Sequence, residues 1–147
     1  MISKCISSAL VIGATTMLAA QSPARYDKTH EQTLTGTIKA VASYPSPDGK
    51  VGVHIDLRTA DGLVDVRIGP AMFIGMENFW FFAEDPLVVT GARVGGAEGP
   101  VYARTIQKGS STVVLRTDDG TPRWPDADNG VDGCGVNHAP LQRTTFE

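Results

Sequence analysis

Val51-Gly-Val-His-Ile-Asp-Leu-Arg-Thr-Ala-Asp-Gly-Leu-Val-Asp-Val-Arg-Ile68 holds two runs of strict alternation around an Asp61-Gly62 dipeptide. Val51, Val53, Ile55 and Leu57 alternate with Gly52, His54, Asp56 and Arg58, and Val64, Val66 and Ile68 alternate with Asp65 and Arg67. Side chains two apart share one face of a strand, so each run reads as a half-buried strand. Asp-Gly tolerates the positive φ angles of a tight hairpin turn. With Asp61 and Gly62 as the two loop residues, Leu57 pairs with Val66, Ile55 with Ile68, Arg58 with Asp65 and Asp56 with Arg67. Apolar then meets apolar and opposite charges face each other, which favours that register. The four charged side chains are accordingly read as exposed cross-strand pairs and not as a catalytic cluster.

Upstream, Leu34, Gly36, Ile38 and Ala40 alternate with Thr35, Thr37 and Lys39, giving a first strand, and Tyr44-Pro-Ser-Pro-Asp-Gly-Lys50 supplies the turn. Downstream of Ile68 the alternation stops. Pro70 suits the first turn of a short helix, and Gly75 limits its length. Phe79-Trp80-Phe81-Phe82, with Phe73, concentrates apolar area and reads as a plug closing one end of a barrel, an exposed partner-binding patch being the alternative. Three more strands follow, at 87–94, 101–107 and 112–116, with turns at Gly95–Gly99 and Asp119-Gly120. Three strands, a short helical connection and two or three further strands predict an all-β fold over residues 33–124. It is a five- to six-stranded, OB-fold-like Greek-key barrel. The 16 Gly and 9 Pro fit such a turn-rich chain.

The same span resembles small exported bacterial OB-fold proteins. The resemblance rests on Thr35-Gly36-Thr37-Ile38, Gly52-Val53-His54, Asp61-Gly62, Ile68-Gly69-Pro70-Ala71-Met72-Phe73, Val89-Thr90-Gly91, Ala103-Arg104, Leu115-Arg116 and Gly120-Thr121-Pro122-Arg123-Trp124. It implies a barrel and export, and it carries over no catalytic residue.

The two ends read differently. Lys4 precedes a mostly apolar run from Cys5 to Leu18 and then Ala19-Ala20, the layout of a secretory signal. Residues 1–20 are therefore expected to be a signal peptide. The mature chain is expected to be periplasmic or secreted, without a membrane span. Residues 21–32 are polar and aperiodic, a flexible lead-in, and residues 125–147 form a low-order tail. The formal charge of −3 becomes 12 basic against 16 acidic side chains, −4, once Lys4 is removed. That balance disfavours nucleic acid as a partner.

Candidate chemistry is sparse. There is no Gly-x-Ser-x-Gly elbow, no phosphate-binding Gly-x-x-x-x-Gly-Lys loop, no Cys-x-x-Cys pair and no haem attachment motif. Of the three histidines, only His54 falls on a strand, so neither an enzyme nor a cofactor is expected. Metal handling is a second reading. Cys134-Gly-Val-Asn-His138 sets a thiolate and an imidazole four residues apart, suited to copper or zinc, and His54 is a further candidate ligand. A closed zinc site takes four ligands, and the second pair is missing. The favoured reading is a non-catalytic binding module of the cell envelope. Tyr44, Tyr102 and Arg104 would line its exposed strand face, and its partner would be an envelope protein, a glycan or a small ligand. Single-stranded nucleic acid or oligosaccharide binding is the third reading.

Overall fold

The computed structural model describes residues 25–45 and 50–124, and the backbone of 142–145. A 3-10 turn at Lys28–His30 leads into β1 (Glu31–Pro45), β2 (Val51–Thr59) and β3 (Gly62–Pro70). The helix α1 (Ala71–Met76) follows, then β4 (Pro86–Arg93), β5 (Val101–Lys108), β6 (Ser111–Val114) and β7 (Gln142–Thr145). Sheet neighbours run β2-β3-β5-β4-β1, and β1 also pairs β2, so five strands close on themselves. The closed all-β barrel with a short helix after its third strand is the expected fold. β6 pairs β5, and β7 adds a strand within the stretch read as a low-order tail. The expected signal at 1–20, the turn residues 46–49, Cys134 and His138 lie outside the described residues.

The hairpin register differs from the expected one by two residues. Leu57 pairs with Val64, Ile55 with Val66, Arg58 with Leu63 and Thr59 with Gly62, so Ala60 and Asp61 form the loop. The glycine takes the left-handed conformation at the turn's exit, φ +123°, and not at its second central position. Thr59 holds the turn: its Oγ1 donates to the Gly62 carbonyl at 2.9 Å and accepts from the Asp61 N–H at 3.2 Å. A two-residue slip leaves every side chain on its face, so Ile55, Leu57, Val66 and Ile68 are still inside. The charges do change partners. Asp56 faces Asp65, Arg67 faces His54, and Arg58 reaches both oxygens of Glu84 at 2.8 and 3.0 Å.

β1 changes phase along its length. Its register against β2 shifts between Ile38 and Ala40, leaving Lys39 as a bulge. Ile38 lies in the core opposite Leu57. Beyond the bulge Val41 takes the inward phase opposite Ile55, and Ala40, Ala42 and Tyr44 occupy the other face. The alternation that put Ala40 with Ile38 is thereby corrected.

The core gathers Ile38, Ile55, Leu57, Val66, Ile68, Leu87, Val89, Val101, Ala103, Ile106 and Leu115. α1 and the residues after it close one end with Phe73, Ile74 and Phe79. Phe73 tilts against Trp124 with ring centres 5.7 Å apart, and Phe79 meets Phe81 edge-on at 5.3 Å. The aromatic run therefore divides. Phe73 and Phe79 are the plug, whereas Trp80 and Phe82 are each 62% exposed.

Candidate functional site

Strand alternation turns Tyr102 and Arg104 of β5 away from Val101, Ala103 and the core. The parallel β3–β5 contact then sets Arg67 beside Tyr102, its guanidinium 5.6 Å from the ring centre. Arg116 lies over three rings, 5.8 Å from Tyr26, 5.8 Å from Tyr102 and 5.0 Å from Trp124, and donates to the Gly120 carbonyl at 3.2 Å. At 1% exposure this cation is held by aromatic faces, an arrangement that desolvation strengthens. Across the sheet the Tyr44 ring lies tilted against His54 with ring centres 3.7 Å apart, and His54 Nδ1 is 3.8 Å from Asp65.

Arg104 ties this layer to the start of β1. Its Nε and one terminal nitrogen donate to the two oxygens of Glu31 at 2.8 Å each, and its other nitrogen reaches Asp118 at 3.1 Å. The Tyr26 hydroxyl donates to Glu31 at 2.7 Å. Hydrogen bonds from Arg104, then from Tyr26, hold the Glu31 carboxyl down at about 2. Burial, then the neighbouring Glu31, pushes the Tyr26 phenol up.

These contacts correct the expected exposed recognition face. Tyr44 and Tyr102 are each 7% exposed and Arg104 is engaged by two carboxylates, so together they form a packed layer. Tyr102 is covered through Arg116 by the stretch read as a flexible lead-in, whose Tyr26 ring lies against Gly120, together with the return through 115–124. His54, a candidate metal ligand, is 1% exposed beneath Tyr44. Among the described residues no three His, Cys, Asp or Glu side chains group to hold a metal.

The open feature lies at the other end of this layer. A cleft of about 750 Å3 is bounded by Arg25, Asp27, His30 and Gln32 on one side, and by Arg93 and the Gly95–Ala97 loop on the other. Its acids are already committed. Asp27 accepts from the Thr29 N–H at 2.9 Å and from the Thr29 hydroxyl at 2.6 Å, and it meets His30 Nδ1 at 2.9 Å; these bonds hold its carboxyl below the usual range. The Thr29 hydroxyl and Asp27 meet the same His30 ring nitrogen, at 3.4 and 2.9 Å, so the imidazole does not stand between them as a relay. Glu31, also on the wall, is gripped by Arg104. Arg93 braces the loop by donating to the Gly99 carbonyl at 2.8 Å. Buried beside them, Gln32 Nε2 has no hydrogen-bond partner. Sequence reasoning missed this cleft, because Arg25, His30 and Gln32 lie in an aperiodic stretch and Arg93 looks like an ordinary strand end.

A closed five-stranded barrel, with a cleft between its entering segment and its β4–β5 loop, defines a small all-β barrel protein. The chain belongs to the MamS/MamX magnetosome protein family, whose model matches residues 30–113, from the turn before β1 into β6. No curated protein and no solved structure matches the chain. No helix among the described residues is long and apolar enough to cross a membrane.

Proposed function

We propose that this member of a magnetosome protein family is a binding module that carries out no chemistry, and that it recognises a small anionic ligand in the cleft between the lead-in and the β4–β5 loop. The observation that carries the reading is the charge arrangement there. Glu31 is paired with Arg104, so Arg25 and Arg93 outnumber the remaining carboxylate, Asp27, on the cleft wall and set its sign. Guanidinium groups present paired donors that match carboxylate and phosphate geometry. The barrel beneath supplies a rigid frame, and loops on such frames commonly carry recognition. Export to the envelope is part of the same proposal, supported by the Lys4 to Ala20 layout.

Isothermal titration of the full chain at low salt with citrate and with inorganic phosphate tests the reading. Saturable one-site binding to at least one of them, weakened about tenfold or more in Arg93→Gln, is expected; equal binding by both proteins removes the site. Turnover of any substrate by the purified chain removes the non-catalytic reading.

A further inference from the structure

β1 spans 15 residues, and the edge it turns away from β2 is covered in two separate parts. β4 pairs with it from Glu31 to Thr37. At Ile38 the N–H donates to the Asp85 carbonyl at 3.0 Å and the carbonyl accepts from Glu84 at 2.9 Å, after which the bulge at Lys39 ends that ladder. From Ala40 to Ser43 the partner is β7, with Ala40 opposite Thr145, Val41 opposite Thr144, Ala42 opposite Arg143 and Ser43 opposite Gln142. β7 stands at the end of the sheet order, four residues long and laddered on one side, while the five-strand closure is complete without it. A short one-sided strand belongs to the least stable part of a sheet. The edge beneath it, once uncovered, is a row of unpaired donors and acceptors that templates another strand.

Chain length does not bind β7 to its own barrel. Residues 125–141 separate Trp124 from Gln142, and a chain of that length reaches up to about 60 Å when extended. The strand seated at Ala40–Ser43 fits that edge equally well when it arrives from a neighbour, since the sequence and register are the same. We propose that the Ala40–Ser43 edge of β1 is a strand-acceptor site whose partner is the Gln142–Thr145 strand of a second copy, so that crowded copies join by reciprocal strand exchange. Such an exchange is two-fold symmetric and closes on itself. A tethered strand has an effective concentration on the order of millimolar, so self-pairing dominates in dilute solution and exchange takes over as the local concentration approaches that value. This face is separate from the cleft.

Paired cysteines read the exchange directly in the full chain, with Cys5 and Cys134 replaced by Ser. Opposed Cα atoms on antiparallel strands are about 4.5–5.5 Å apart, within disulfide reach. One chain carrying both Ser43→Cys and Gln142→Cys should form an internal disulfide at low micromolar concentration. Two chains carrying one substitution each, with one isotopically heavy, should form a mixed disulfide dimer on mild oxidation. Its yield should rise with concentration and reach at least fivefold that of Ser43→Cys mixed with Asp61→Cys. Ala42→Cys with Arg143→Cys is the second pair, so that both hydrogen-bonded and non-bonded positions are sampled. Failure of the internal disulfide in both pairs, or mixed dimers no more abundant than the control at millimolar chain, overturns the proposal.

Discussion

Arg104 of β5 closes on Glu31 of β1 through both carboxylate oxygens at 2.8 Å, joining two strands that are separated by β4 in the sheet. With Tyr26 on the same carboxylate and Asp118 on the same guanidinium, the pair fastens the entering segment and the 115–124 return to the barrel wall. It also pairs an acid on the wall of the cleft with a cation.

Acid should release that fastening. The Glu31 carboxyl lies at about 2 in the folded protein against an ordinary 4.5. A depressed folded value means that the contribution is complete above about 4.5 and is lost as pH falls from there through about 2. Glu31→Gln should cost about 1.5–3 kcal/mol at neutral pH, the usual worth of hydrogen bonds to a charged group. Urea unfolding from pH 2 to 7 checks both points: the gap between wild type and variant should narrow toward pH 2.

The hairpin register has its own signature. A double-mutant cycle between Arg58 and Glu84 should return a coupling of about 0.2–1 kcal/mol, typical of an exposed pair, whereas Arg58 with Asp65 should return none. Leu57→Ala, at a fully buried core position, should cost about 2–5 kcal/mol in the same unfolding assay.

Gly69 has φ +143°, and a Cβ there would stand 2.8 Å from the Trp124 ring. Gly69→Ala should therefore destabilise by about 1–3 kcal/mol through strain and crowding together. Restored stability in Gly69→Ala with Trp124→Leu, relative to the sum of the two single changes, would locate the clash at that ring.

The aromatic run should divide energetically as it does structurally. Phe79→Ala should cost about 3–5 kcal/mol, while Trp80→Ser, at an exposed position, should stay within about 0.5 kcal/mol. Thermal denaturation of the two variants side by side is sufficient.

The barrel was legible because alternation in 33–40, 51–58 and 64–68, and the runs at 87–94, 101–107 and 112–116, each correspond to a strand. Register was not, since shifting by two residues preserves both faces and both charge patterns look plausible. Phase along β1 was hidden by the Lys39 bulge, which moves the inward positions from Ile38 to Val41. The fate of Tyr102 was hidden because Val101-Tyr-Ala-Arg-Thr-Ile106 is mixed on both faces, and only the packing of Tyr26 and Arg116 shows that its outer side is covered. A single tyrosine in a polar lead-in leaves no periodic trace. The cleft joins residues more than 60 positions apart, a contact that no local pattern encodes.

Recognition at the cleft, and not at the packed Tyr44–Tyr102–Arg104 layer, is tested most directly by amide NMR of the full chain titrated with citrate at low salt. Shifts should concentrate at His30, Gln32, Gly95, Gly96 and Ala97. They should vanish in Arg25→Gln with Arg93→Gln and persist in Tyr102→Phe. Shifts that survive the double change, or that centre on Tyr102 and its neighbours, would contradict the assignment of the cleft.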